Sequence, residues 1–176
     1  ADLAGEEINF DSKSGNLKIT KFDRGLCLNF PADYPAEAES DSLFFEILGI
    51  KPLKLLRGKD DYLAIFKSQK QIEEMQPKFS LLKKVDARGL VISAPGDDVD
   101  FVSRCFYPEA GIEEDPVTGS AHTMLAPYWA TQFNKNELDA HQLSKRGGKL
   151  NCRLANERVL IWGNSVIYFE GTISIV

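Results

Sequence analysis

The stretch Gly119–Phe133, GSAHTMLAPYWATQF, decides the fold. Placed on a helix of 3.6 residues per turn, Ala121, Leu125, Tyr128, Trp129 and the Gln132–Phe133 step wrap widely around the axis. Met124, Ala126 and Ala130 fill much of the rest. A helix that is apolar nearly all round is buried. It is also the longest helix candidate in the chain, so the other elements have to enclose it.

Those other elements read mainly as strands. Residues 7–10 and 17–22 alternate apolar and polar side chains around Ser14, Gly15 and Asn16, which predicts a hairpin. Residues 26–30 continue the meander and stop at Pro31. Ser40 or Asp41 can cap a short helix that runs through Leu48 and ends at Gly49. Residues 53–56 and 62–66 read as strands, Ser68 caps a second short helix before Pro77, and residues 81–85 add a turn. Residues 89–94 and 99–106 are strands. A second strand set follows the long helix: residues 150–154, 158–162, 165–169 and 172–176. The expected architecture is α+β, a mostly antiparallel sheet curled around a central buried helix, with the small helices outside.

Composition limits the function. A chain of 176 residues suits one domain with a real core, and its 43% hydrophobic content is ordinary for a globular protein. Net charge is −5, and Lys83–Lys84 and Lys145–Arg146 are pairs rather than patches, which disfavours nucleic acid as a partner. No apolar run approaches a membrane span, and Ala1–Asp2–Leu3–Ala4 has the character of neither a signal nor a transit peptide. Cys27, Cys105 and Cys152 are far apart and odd in number. They argue against a disulfide framework and for a reducing, cytoplasmic compartment. No Cys/His spacing resembles a zinc site, so no metal is expected.

The chemistry gathers just before the helix. Residues 110–122, AGIEEDPVTGSAH, crowd three carboxylates, a proline, two glycines and two hydroxyls into its start. A helix N-terminus leaves N–H groups unpaired and carries partial positive charge. The Gly119–Ser120 step lets an anion approach the N–H groups of Gly119, Ser120 and Ala121, which are expected to face a cleft. An acidic side chain just outside can then handle a proton. Asp115 stands out, because Pro116 holds it extended, able to point across the helix mouth.

Each of these residues also has a plainer reading. Glu113, Glu114 and Asp115 complement the helix dipole as solvated charges. Thr118 or Ser120 is a helix cap, although one cap suffices and leaves a hydroxyl over. His122 reads as a satisfied core residue, and Cys27 and Cys105 as small core residues. Arg146, Gly147 and Gly148 form a turn or bulge. A hydrolase using Ser120 lacks an activating base, since His122, two positions on, points off around the helix.

At these residues the chain resembles the PhzF-like isomerases of phenazine biosynthesis, which share their fold with diaminopimelate epimerase and proline racemase. The signature is residues 114–122, EDPVTGSAH. Supporting matches are residues 12–17 (SKSGNL), 28–32 (LNFPA), 100–106 (DFVSRCF) and 142–148 (QLSKRGG). The resemblance covers essentially the whole chain. It implies two similar lobes, each a sheet around a central helix, with the active site in the cleft between them. Residues 1–176 then correspond to a single lobe, the C-terminal one, with its flanking segments. The family's first-lobe features are a general acid/base glutamate beside an Asn-Pro turn and a Cys-Gly-His-Ala-Thr stretch. Neither has a counterpart here, and the N-terminal catalytic lobe is expected to be absent.

Residue by residue, the resemblance implies that Asp115 and Ser120 assist proton transfer. It also implies that Thr118 and Gly119 line the substrate pocket. Thr118 stands about where the cysteine of the racemase and epimerase relatives falls, so a thiol acid/base pair is not expected. Such enzymes use no cofactor. They shift a proton next to a carboxylate by acid–base catalysis, roughly 10²–10⁴-fold per positioned group. The expected function is therefore that of a cofactor-free isomerase or epimerase acting on a small carboxylate. The alternative is a non-catalytic ligand-binding or dimerisation module. A lone lobe would leave its cleft face and its last strand, residues 172–176, unpacked. The expected partners therefore include a second copy of the chain or a separate first-lobe chain.

Overall fold

Two right-sized breaks in an otherwise antiparallel meander organise the molecule. The computed structural model describes residues 7–13, 15–22, 25–39 and 42–172. The chain opens with three strands, β1 (Glu7–Ser12), β2 (Gly15–Phe22) and β3 (Gly25–Pro31), then the short β4 (Ala36–Glu37) and helix α1 (Ser42–Leu48). Strands β5 (Lys54–Arg57) and β6 (Asp61–Ile65) precede helices α2 (Gln69–Glu74) and α3 (Phe79–Leu82). Strands β7 (Gly89–Pro95) and β8 (Phe101–Tyr107) follow, then a 3₁₀ turn (Pro108–Ala110) and β9 (Ile112–Asp115). Helix α4 (Gly119–Phe133) leads into β10 (Glu137–Gln142), β11 (Gly148–Ala155) and β12 (Arg158–Asn164).

The strands form one sheet in the order β1-β2-β3-β12-β11-β10-β8-β7-β6-β5-β4, with β9 paired to β8. All neighbours are antiparallel except β6 with β7 and β8 with β10. A parallel pair needs a crossover rather than a hairpin. Helices α2 and α3 supply the first crossover and α4 the second. The two crossovers lie against opposite faces. Phe101, Cys105 and Tyr107 of β8 join the core cluster of α4, whereas Val102 and Phe106 join the cluster of α1, α2 and α3. The period-2 alternation of a strand buried on both sides explains why β8 reads as a nearly continuous apolar run.

Helix α4 has the bounds expected from the sequence. Ala121 to Ala130 are buried except for the half-buried Thr123, and the helix packs on β3, β10, β11 and β12. Pro127 lies inside it. A proline has no N–H for the carbonyl four residues earlier, and here the Thr123 carbonyl instead accepts the N–H of Asp33 at 3.0 Å. The helix ends at Asn134, left-handed at φ 51°, whose N–H returns to the Ala130 carbonyl.

Several expectations need correction. A single sheet replaces one sheet on each side of the helix, because the parallel β8–β10 pair joins the two strand sets. Strand β10 carried only a short, weak alternation, since of its inward residues Leu138, Ala140 and Gln142 one is small and one polar. The acidic residues before the helix, of which only Asp115 was expected to be extended, form β9. Residues 165–169, expected as a strand, form none. They are a β-prone run of apolar residues, but a strand needs a neighbour, and Val166, Ile167, Tyr168 and Phe169 are 91%, 86%, 99% and 82% exposed. Of the expected strand 172–176, residues 173–176 lie outside the described residues, as do the expected caps Ser40 and Asp41. Ser68 occupies the N-cap of α2 without a side-chain bond.

Candidate active site

The turn from β9 into α4 places the residues singled out in the sequence. Asp115 is held in β9 opposite Cys105 of β8. Two residues after Pro116, Thr118 occupies the N-cap of α4, but its side chain makes no capping bond. Its hydroxyl instead donates to Asp115 Oδ2 at 2.5 Å. The capping reading of Thr118 is therefore overturned: the hydroxyl belongs to Asp115. As the first residues of the helix, Gly119, Ser120 and Ala121 have N–H groups that intrahelical bonding leaves unsatisfied.

Residues 142–148 hold this turn from behind. Gln142 is buried and accepts the Thr118 N–H at 2.8 Å. Its amide nitrogen donates to the Asp115 carbonyl at 2.7 Å and to Thr118 Oγ1 at 3.1 Å. Ser144 Oγ donates to the Pro116 carbonyl at 2.7 Å and accepts the Gly147 N–H at 3.0 Å. Gly147 sits at φ +73°, where a glycine makes the turn without strain. Gly148 backs onto Val117: a Cβ there would lie 2.3 Å from Val117 Cγ2.

Ser120 faces the other way. Its hydroxyl accepts a bond from Arg88 Nη2 at 3.2 Å. Arg88 pairs with Asp61, donating Nε to Oδ1 at 2.9 Å and Nη2 to Oδ2. Tyr107 donates its hydroxyl to Asp61 Oδ2 at 3.4 Å, and the guanidinium lies over the Tyr107 ring at 5.3 Å. The Asp61 hydrogen bonds hold Arg88 above its ordinary pKa, so it stays cationic beside Ser120. A pocket of about 210 Å³ opens here, lined by Ser120, Thr123, Arg88, Asp61, Asp33 and Phe30 among others.

The structure therefore brings Asp115 and Thr118 into direct contact and ties Ser120 to Arg88. Gly119 is half-buried, and a Cβ there would meet Leu28 Cδ1 at 3.1 Å. Ala121 is fully buried in the core, whereas Ser120 is exposed and Gly119 half-buried. Of the acidic run, Glu114 has a structural partner. Arg104 Nε and Nη2 donate to its two oxygens at 2.6 and 3.0 Å. The same arginine donates to the carbonyls of Ile72 and Met75. Glu113 is exposed.

The buried titratable groups are quiet at neutral pH. His122 is fully buried, with Nδ1 2.8 Å from the Thr118 carbonyl and no partner for Nε2. Burial pushes its pKa down to about 4, so it is neutral, with the Nδ1 proton on the Thr118 carbonyl. Half of it is the satisfied core residue expected, and half is an unsatisfied nitrogen. Burial raises the Cys105 and Cys152 thiols to about 12, which removes the thiolate as a nucleophile. Among the described residues no group of three His, Cys, Asp or Glu side chains is placed to hold a metal.

Sequence reasoning did not single out Gln142, Ser144, Arg88 or Asp61 as site residues. Gln142 and Ser144 lay within a stretch that carried the resemblance, so a signal existed. Arg88 and Asp61 are far from the signature in sequence and come to it only through the sheet, where Asp61 is paired with Gly89, the residue next to Arg88.

A single mixed sheet with a buried crossover helix, started by an Asp-Pro-Val-Thr-Gly-Ser turn, defines the class of protein. Residues 3–171 match the Phenazine biosynthesis-like protein family, PhzC-PhzF, and the chain belongs to that family. It is 44% identical over 172 residues to an uncharacterized isomerase of Pseudomonas aeruginosa, covering 98% of this chain and 66% of the relative. It is 42% identical over 166 residues to an uncharacterized isomerase of Halalkalibacterium halodurans, covering 93% of this chain and 63% of that protein. A crystal structure of a phenazine biosynthesis protein of the PhzF family from Enterococcus faecalis superimposes with a TM-score of 0.87 at 38% identity. It covers 98% of this chain and 66% of that one. The chain thus spans just under two thirds of the length of these relatives.

Proposed function

We propose that this chain carries one lobe of a cofactor-free isomerase or epimerase that moves a proton on a small carboxylate substrate. In this reading the sheet wraps α4, and residues 1–176 form the C-terminal lobe of a two-lobe protein working in the reducing cytoplasm. The active site is completed by a first lobe. The names of the bacterial relatives support an isomerase role, and their greater length supports a further lobe.

The observation that carries the reading is the division of labour at the start of α4. The Thr118 hydroxyl is committed to Asp115 instead of capping the helix. The N–H groups of Gly119 and Ser120 therefore keep their capacity for an anion. Asp115 sits three residues before Thr118, where it can exchange a proton with the substrate. Ser120 accepts from Arg88 and so has its own proton to offer the substrate carboxylate. Thr118 and Gly119 shape the wall.

The test is deuterium wash-in. The full-length protein containing this chain is incubated in D₂O with a panel of small carboxylates, and exchange at carbon is read by mass. One class of carboxylate should exchange. Asp115→Asn should slow that exchange by roughly 10²–10⁴-fold and Ser120→Ala by less. Tight binding of a carboxylate with no exchange by the intact protein would favour the ligand-binding module instead.

A further inference from the structure

The amide of Gln142 can be oriented without ambiguity, and that fixes the direction of a hydrogen-bond chain. Its oxygen must face the Thr118 N–H, a donor only, at 2.8 Å. Its nitrogen must face the Asp115 carbonyl, an acceptor only, at 2.7 Å. The second Nε2 proton therefore points to Thr118 Oγ1 at 3.1 Å, where the hydroxyl has to accept. A hydroxyl that accepts from Gln142 is free to donate elsewhere, and it donates to Asp115 Oδ2. The chain runs one way, from the amide through the hydroxyl to the carboxylate. All three of its members are firmly held, since Gln142 is 1% exposed, Thr118 is 7% exposed and the Asp115 backbone lies in β9.

From this we infer that Gln142 is a positioning residue of the site. It locks the Thr118 hydroxyl toward Asp115 Oδ2 and leaves Asp115 Oδ1 as the oxygen that exchanges a proton with the substrate. It also prevents Thr118 from capping α4, which keeps the helix N-terminus open. Gln142 touches no substrate and acts only through Asp115 and Thr118. The inference rests on the assignment of Asp115 and the α4 start as the reacting site.

The test separates the two claims. In the ¹³C,¹⁵N-labelled chain, the Asp115 carboxyl carbon reports the relay, and the amides of Gly119, Ser120 and Ala121 report the site when inorganic sulfate is added. Thr118→Val should move the Asp115 carboxyl signal, and Thr118→Ser should leave it as in the wild type. Gln142→Met should move it too, and should speed exchange of the Thr118 N–H by roughly tenfold or more. Ser144→Ala loosens the turn at Pro116 without touching the relay and should leave the carboxyl signal in place. If Gln142→Met does not fold, the Thr118 pair still decides. The relay is overturned if Thr118→Val leaves the Asp115 signal unmoved. It is equally overturned if Thr118→Ser behaves like Thr118→Val, or if Ser144→Ala moves the signal as far. If the relay variants behave as expected but sulfate leaves the three amides unperturbed, the site assignment fails. The proposed role of Gln142 fails with it, leaving a structural clamp.

Discussion

At the scale of single residues, His122 couples the site to pH. Unfolded, its imidazole titrates near 6.5, and burial in the fold holds it to about 4. Between those values the unfolded chain binds a proton that the folded chain does not. Acid therefore favours unfolding: the contribution is complete above about pH 6.5 and is lost as pH falls toward 4, about 3 kcal/mol in all. Thermal melting across this window should show a steeper fall for the wild type than for His122→Gln, and equal slopes would contradict the assignment. Arg88 makes a second test. Asp61 is 4% exposed, and removing its guanidinium partner leaves a buried carboxylate uncompensated. Because Arg88 itself is 44% exposed, the cost of Arg88→Ala is discounted to about 1–2 kcal/mol in chemical denaturation. A cost below about 0.5 kcal/mol would mean that the pair does not hold this corner.

At the scale of elements, α4 and the turn before it carry the architecture. Leu125 is fully buried in the core that joins α4 to the sheet, so Leu125→Ala should cost about 2–5 kcal/mol in denaturation. Gly148→Ala forces a Cβ into Val117 and should cost about 1–3 kcal/mol. It should also shift the NMR signals of Thr118 and Gly119. A neutral result with an unshifted turn would show that β11 does not buttress the site. The helix was legible in the sequence because ten consecutive positions with almost no polar residue leave no solvated face. The hairpin β1–β2 and the strands β7 and β8 were legible for the matching reason, period-2 alternation or continuous apolarity. Strand β10 was not, since a buried glutamine looks polar until its three partners are seen. Asp115 was legible as a candidate through Pro116. The role of Thr118 was not, because choosing between a cap and a carboxylate partner depends on a glutamine 24 residues away.

At the scale of the whole molecule, the described chain ends in a segment that is apolar and uncovered. Val166, Ile167, Tyr168 and Phe169 are all exposed, beyond the last residue of β12. Contiguous apolar surface of this kind seeks a partner, and about a third of each relative's length lies outside the part matched here. The 176-residue chain alone should therefore self-associate with rising concentration. Light scattering of the pair Val166→Asp, Tyr168→Asp should shift the chain toward a 19.7 kDa monomer. A wild-type chain that is monomeric at every concentration would contradict this. Among the described residues no helix is long and apolar enough to cross a membrane. The central claim is that the start of α4 receives the substrate's carboxylate, and a crystal of the chain soaked with a small carboxylate or with sulfate tests it most directly. The predicted result is anion density on the N–H groups of Gly119 and Ser120, within reach of Ser120 Oγ; strong density elsewhere with none at this helix start would contradict it.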